Sequence, residues 1–368
     1  MSVSRTNVTI RDVAKESGVS VATVSYVMNN GPRPVRPQTR QRVLDVMHRL
    51  HYHPNAMARG LVRRQMHTLG VLFGMIEPEI VTNPYAAAVL QGIFSAGASR
   101  SYNITLFTEP WRDAHHSAPA FRDRRTDGMI VVAPTLNSDM VSGLAALGLP
   151  LVVVSAPSLL PGVPSVDVDN KQGGRLAAQH LLTLGHTRIA HISGDLIHAS
   201  VAARRDGFET VLAEAGICLP PEYQRVGSYA FEPNFTVVRE MLSLPCPPTA
   251  IFAGSDQIAF AILEVARDKG ISVPGQLSVI GFDDVAAAAR VSPALTTIRQ
   301  PLSALGGHAT HLLVDQLEQE GNNRGIVPAN GRSLALLEEP SLVIRETTAP
   351  FSPVSKKVCS HCNSGEAR

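Results

Sequence analysis

The chain has 368 residues, 44% of them hydrophobic and 17% charged, with a formal net charge of +2. That length exceeds one typical core and that composition is globular, which excludes a fibrous or wholly disordered chain and predicts two or three domains. The charge is unevenly spread: residues 1 to 67 carry 11 Lys/Arg against 3 Asp/Glu, a balance of +8, while the remainder carries 22 against 28, a balance of −6. A basic segment of this density suits phosphate contacts, which give affinity and register without choosing a sequence; the competing reading is a solvated cationic face.

Met1 to Asn7 lacks the apolar core of a secretory signal, and no run reaches the roughly 18 apolar residues that span a bilayer, so a cytoplasmic protein without a membrane partner is expected. Four cysteines are too few for a disulfide framework, and Cys218 and Cys246 read as small intracellular thiols. Cys359, His361 and Cys362 offer three ligands where a structural zinc takes four, so neither metal nor cofactor is predicted.

In chain order, the first pattern is TIRDVAKESGVSVATVSYVMN. Thr9 can cap a first helix, with Asp12 closing a capping box and Ile10, Val13 and Ala14 on one face. Gly18 tolerates positive φ at a sharp turn, and Ser20 can cap a second helix with an apolar stripe of Val24, Val27 and Met28. Two short helices crossing at a glycine turn make a helix-turn-helix, in which Val21, Ala22 and Tyr26 stand nearest the base edges of a major groove. Thr9, Ser20, Thr23, Ser25 and Asn29 complete the candidate DNA-contacting residues of this unit. The plainer alternative is an αα-hairpin inside a core.

Residues 30 to 37 form a proline-rich loop that offers Arg33 and Arg36 to phosphates. A third helix is predicted over Gln38 to Leu50, with Val43, Val46, Met47 and Leu50 inward and Tyr52 packing its end. His53-Pro54 then breaks the chain before NAMARGL, a linker too short to be helical alone.

From Thr68 apolar strands alternate with helices as far as LSVIGFDD, which predicts parallel sheets with helices on both faces, about 280 residues sufficing for two lobes. Ligands meet such sheets in the crevice at the carboxyl ends of strands. Tyr85, Arg204, Tyr229, Ser255 and Asp283 occupy loops or helix starts placed to meet one there. Arginine with aspartate suits vicinal hydroxyls, and an aromatic face suits a sugar or base ring; taken singly, each residue also reads as a loop salt bridge or helix cap. Asp256 and Asp284 read as local caps. P-loop, nucleophile-elbow, HExxH and dinucleotide fingerprints are all missing, and His180, His186 and His191 fall on a helix, a turn and a strand, so no enzyme is predicted.

The runs VTIRDVAKESGVSVATVSYVMN and VRPQTRQRVLDVMHRLHYHPNAMARGL, with the later IGFDD and LTTIRQP, resemble the LacI/GalR family of bacterial transcription regulators over about residues 8 to 347. The resemblance implies an α/β chain: an all-α helix-turn-helix domain at 1–54, a hinge helix and linker at 55–67, and a periplasmic-binding-protein-like core at 68–347. It divides the core into lobe 1, about 68–167 and 298–330, and lobe 2, about 168–297 and 331–347, and leaves 348–368 as a disordered tail. It makes the hinge a minor-groove element in which Leu61 wedges a base step, Asn55 and Ala58 belong to the DNA-contacting set, and Met57 and Gly60 depart from the usual residues. It assigns Arg204, Ser255 and Asp283 to hydroxyls of an effector and Tyr85 and Tyr229 to stacking on it. Ser255 stands where asparagine is common, which puts the usual sugar pose in doubt. The expected protein is a homodimeric repressor whose affinity for double-stranded operator DNA is changed by a small-molecule effector, possibly a sugar. The leucine heptads that tetramerise some relatives are missing.

Overall fold

In the computed structural model, Thr9 opens the first helix: its N–H and its hydroxyl both donate to the Asp12 carboxylate, at 2.8 and 2.7 Å. The described residues are 8–29, 34–53, 65–75, 80, 82–123, 125–158, 160–228, 234–321 and 334–352. They fall into two units, Met1–Met66 and His67–Arg368, each taken by itself.

Among the described residues, the first unit has three helices, α1 (Ile10–Ser17), α2 (Val21–Asn29) and α3 (Pro37–Arg49). Gly18 ends α1 in the left-handed conformation at φ 62°, and Val19 N–H closes back on Ala14 O, so the chain turns within three residues. Ser20 Oγ then accepts the Thr23 N–H at 3.1 Å and starts α2. Val13, Ala14, Val24, Val27, Val43 and Val46 form the core, with Tyr52 packed at its edge. Arg49 of α3 pairs with Glu16 of α1 at 3.0 Å, though both are exposed and the pair contributes little.

The second unit begins with β1 (Thr68–Phe73) and alternates thereafter: α4 (Pro84–Ser99), β2 (Asn103–Leu106), a single turn α5 (Ala114–Ser117), β3 (Gly128–Val132), α6 (Met140–Ala145), β4 (Leu151–Val154) and β5 (Ser165–Val168). It continues through α7 (Asn170–Thr183), β6 (Ile189–Ser193), α8 (Ala199–Glu214), β7 (Gln224–Val226), α9 (Asn234–Met241), β8 (Ala250–Ala253), α10 (Asp256–Asp268) and β9 (Ser278–Asp283). The last elements are β10 (Thr296–Arg299), α11 (Leu302–Gly321), β11 (Ala335–Glu338) and β12 (Ser341–Val343).

The strands make two six-stranded sheets, ordered β11-β5-β4-β3-β1-β2 in lobe 1 and β12-β10-β9-β8-β6-β7 in lobe 2. Among the described residues, pairing is parallel except for β12 against β10. Strands β3, β4 and β8 are buried throughout, which is why GMIVV, LVVV and AIFA read as unbroken apolar runs rather than alternating ones.

Within each lobe two helices cross at glycines with no room for a side chain. A Cβ on Gly92 of α4 would lie 1.9 Å from Ser303 O, and one on Gly306 of α11 would lie 2.2 Å from Val89 O. In lobe 2 the corresponding distances are 2.0 Å from Gly174 of α7 to Arg204 O and 2.0 Å from Gly207 of α8 to Lys171 O.

Four boundaries differ from expectation. Val168 completes β5 in lobe 1, and Ile298 and Arg299 complete β10 in lobe 2, because each belongs to its strand's parallel register. Residues 335–338, expected in lobe 2, form the edge of the lobe 1 sheet against β5, so the last crossing falls at Glu339-Pro340 instead of near residue 330. Thr348–Ser352, assigned to a disordered tail, dock on lobe 2: Phe351 N–H donates to Leu184 O at 2.7 Å and its ring packs on His186. Cys218 is an exposed free thiol, whereas Cys246 is disulfide-bonded, contrary to the expectation of two thiols.

Candidate functional site

In the helical unit, burial divides α2 into two faces. Val24 and Val27 point inward, Ser20, Val21 and Ala22 are exposed, and Thr23, Ser25 and Tyr26 are half-buried along the flank. The exposed residues belong to the first turn of α2, the part of a recognition helix that meets base edges. Arg36 is exposed at the cap of α3, where a helix N-terminus adds its own attraction for phosphate. Thr9 is exposed at the start of α1 but its side chain is engaged with Asp12, which is held below the usual carboxylate range by those hydrogen bonds. Arg33, Asn55, Ala58 and Leu61 lie outside the described residues, as do Met57, Gly60 and the side chain of Asn29.

In the second unit a cleft of about 920 Å³, counting solvent at its mouth, opens between the lobes. Lobe 1 contributes the residues that follow its strands: Gly74 after β1, Ala133 after β3 and Ser155 after β4. Lobe 2 contributes His198 and Arg204 near the start of α8, Ser255 after β8 and Asp283 at the end of β9. Carboxyl ends of parallel strands thus face the space from both sides. Four of the five expected positions, Tyr85, Arg204, Ser255 and Asp283, line this one cleft; the fifth, Tyr229, lies outside the described residues.

Tyr85 is set by Asn83, whose side chain accepts the Tyr85 and Ala86 N–H groups at 3.0 and 3.2 Å, and by Pro84 in the first turn of α4. Its hydroxyl donates to Ser155 Oγ at 2.5 Å. Arg204 is buried: Nη1 donates to Gly254 O at 2.5 Å, Nη2 to Asn170 Oδ1 at 2.8 Å, and the guanidinium lies 3.4 Å over the Phe282 ring. Asn170 in turn donates to Asp167 Oδ1 at 3.1 Å, which ties the arginine to the first segment joining the lobes. Ser255 Oγ accepts the Ile258 N–H at 3.3 Å and caps α10, so it serves as helix cap and cleft wall at once.

Asp283 holds φ 126°, a conformation that costs about 1–3 kcal/mol in a non-glycine residue, and its carboxylate accepts from Gln300 Nε2 at 2.6 Å. Burial pushes its pKa up to about 6, against the opposing attraction of Arg204. Asp256 is raised as well, by burial first and by the negative charge of Asp283 second. Asp256 fits its expected role in part, since it accepts the Val285 N–H at 2.9 Å but also the Thr297 hydroxyl at 2.6 Å. Asp284 is no cap: it is an ion-pair centre between Arg299 at 2.6 Å and Arg345 at 2.5 Å.

The sequence reading missed Ser155, Ser200, Gln257 and Gln300, all on the cleft wall. The one available signal was Gln300 directly before Pro301 at a strand end; the others are uncharged polar residues with nothing to distinguish them before the lobes are assembled. The histidines have structural partners. His186 bridges Thr249 Oγ1 and Ser278 Oγ at 3.0 Å each, His180 meets Thr348 Oγ1 at 2.9 Å, and His191 meets Phe252 O at 2.9 Å, where burial lowers its pKa to about 4.

A helix-turn-helix unit and a two-lobed core with a cleft at its strand ends define the class of DNA-binding regulators built on a periplasmic-binding-protein-like core. The model of the bacterial regulatory proteins, lacI family, matches residues 9–55, and that of the periplasmic binding protein-like domain matches residues 178–348. Catabolite control protein A of Priestia megaterium is 34% identical over 324 residues, which span 87% of this chain and 96% of that relative. The chain therefore belongs to the lacI family of bacterial regulatory proteins and is a DNA-binding transcriptional regulator. Among solved structures, the lac repressor dimer bound to operator and the anti-inducer ONPF superposes with a TM-score of 0.79 at 26% identity, covering 93% of this chain and 99% of that one. The transcriptional regulator CelR in complex with cellobiose gives 0.69 at 28% identity, covering 92% and 99%.

Proposed function

We propose that this regulator is a cytoplasmic, non-enzymatic repressor that binds a pseudopalindromic operator as a homodimer and changes its operator affinity when a neutral, hydroxyl-rich metabolite enters the inter-lobe cleft. The supporting observation is the meeting of Arg204, Asp283, Ser255 and Tyr85 in one cleft from four separate elements. Phe73, Ile80, Tyr85 and Val132 give lobe 1 an apolar wall, and Ser200, Arg204, Ser255 and Asp283 give lobe 2 a polar one. One buried cation and one buried carboxylate on the same wall favour a ligand without net charge, because a charged one would be desolvated without a counter-ion. A sugar ring offers hydroxyl edges to the polar wall and an apolar face to Tyr85.

Tyr26, Val21 and Ala22 read bases, Thr9, Ser20, Thr23, Ser25, Asn29, Arg33 and Arg36 support or contact the backbone, and the segment with Asn55, Ala58 and Leu61 enters the minor groove when two copies meet. Lobe closure on the effector alters the spacing of the two reading heads and hence the affinity. A thermal-shift screen of sugars and nucleobases tests this, since a ligand of the native state raises the melting temperature by mass action. Stabilisation by a neutral polyol that also changes operator affinity is the expected result; a screen answered only by anions rejects the ligand class.

A further inference from the structure

Gln300 occupies the second segment at which the chain passes between lobes, and it is anchored on both sides. Directly before it, β10 runs parallel to β9 in lobe 2, with Arg299 in register with Asp283. Directly after it, Leu302 N–H closes on Gln300 O at 2.9 Å across Pro301 and begins α11, whose Leu302 and Leu305 sit in the lobe 1 core. Gln300 itself is buried and lines the cleft.

From this junction Gln300 grips Asp283 at two points. Its backbone N–H donates to Asp283 O at 3.3 Å, and its side-chain Nε2 donates to Asp283 Oδ1 at 2.6 Å. The Arg204 guanidinium is held in the same manner by another primary amide, Asn170, whose Oδ1 accepts from it at 2.8 Å at the end of the first joining segment. A primary amide suits both places because it donates or accepts without carrying charge. A cation at position 300 would pair off the carboxylate, and an apolar side chain would take away a donor that a buried carboxylate needs.

We infer that Gln300 is the positioning residue that fixes the Asp283 carboxylate in the cleft as a hydrogen-bond acceptor, and that it does so from the joint between the lobes. Its backbone is bonded to the first residue of α11, so a change in the angle between lobes acts on the very group that orients Asp283. The other charged groups near Asp283 among the described residues are Arg204 of α8, Asp256 of α10 and Asp284, the last already paired with Arg299 and Arg345. Burial raises the Asp283 pKa to about 6, and Arg204 and then the Gln300 amide oppose that rise. The consequence for effector response rests on the cleft being the effector site; the positioning of Asp283 does not.

The test follows the pH dependence of stability in the full chain without ligand. Urea midpoints of wild type, Gln300→Met and Gln300→Lys, each compared with the same protein carrying Asp283→Asn across roughly pH 4 to 9, isolate the titration of Asp283. Gln300→Met keeps the bulk and removes the donor, so the titration is expected to move up by about half a pH unit or more. Gln300→Lys supplies a charged donor, so the titration is expected to move down by about as much or more. Opposite shifts support the assignment; an unmoved titration in Gln300→Met overturns it, as do shifts of the same sign in both variants. Should Gln300→Met fail to fold, Gln300→Lys decides alone: a lowered titration supports the assignment, and an unmoved or raised one overturns it. A positioning role that passes beside a failed sugar screen faults the ligand assignment alone.

Discussion

The Arg204 guanidinium lies flat on the Phe282 ring, 3.4 Å from its centre, one residue before the Asp283 carboxylate on the same strand. The two candidate ligand groups are therefore fixed by a common support, the arginine by stacking on β9 and the aspartate by belonging to it. Arg204→Ala leaves Asn170 Oδ1 and Gly254 O without their partner, and loss of a partner to a buried polar group costs about 1–3 kcal/mol. Effector affinity is expected to fall at least tenfold in Arg204→Ala and in Asp283→Ala, with operator binding by the free protein nearly unchanged. Operator binding titrated with the ligand from the screen measures both; normal responses from both variants would return these residues to a purely structural role.

Asp283 also makes a pH prediction. Its pKa is raised to about 6 in the folded protein from an ordinary 3.8, so the folded state holds the proton more tightly than the unfolded chain. The resulting stabilisation is full below pH 3.8 and is lost as pH rises through 6, a change on the order of 1–3 kcal/mol. Asp283→Asn should gain stability relative to wild type at pH 7.5 and lose that advantage at pH 4. Urea midpoints of the two proteins at both pH values check the sign; a difference independent of pH would refute it.

Reading of DNA should separate into two classes of side chain. Tyr26→Ala is expected to relax base preference within a half-site, whereas Arg36→Ala weakens all sequences alike and lowers the salt slope by about 1. Selections on randomised duplexes, with binding measured over a range of salt, distinguish them. An unchanged preferred sequence in Tyr26→Ala would mean that another part of the chain reads the bases.

Gly174→Ala and Gly207→Ala each force a methyl to within 2.0 Å of a backbone carbonyl on the facing helix. Overpacking of this kind costs about 1–3 kcal/mol. The two variants should lower the denaturation midpoint, and Gly174→Ala, which presses on Arg204 itself, should lose more ligand affinity than the matching Gly92→Ala in lobe 1. Paired denaturation and ligand titrations give the comparison.

How much of this was legible depended on the range of the interactions. The Thr9–Asp12 capping pair, the Gly18 turn and the Ser20 cap are local, and their residue types declare them. The βα alternation was equally plain because buried parallel strands are apolar without interruption. The boundaries were not, because residues 335–338 carry no mark of the sheet they join: ALLE is an apolar edge whose partner Ser165–Val168 lies 170 residues earlier in register. Ser255 looked like a weakened ligand contact; its hydroxyl turned out to cap α10, a role that sequence allowed equally. Asp284 was misread because its partners, Arg299 and Arg345, reach it only after β9, β10 and the closing segment have come together.

The paired glycine crossings have a mechanical meaning. With helix backbones in direct contact at Gly92 and Gly306 in one lobe and at Gly174 and Gly207 in the other, neither pair can slide without a clash between main-chain atoms. Each lobe behaves as a stiff plate, and deformation is left to the short strips where the chain passes between plates. Substitutions that tune the strength of regulation without touching ligand or DNA should therefore cluster in those strips, at residues such as Asp169, Pro301 and Pro340, and be scarce in the helix layers.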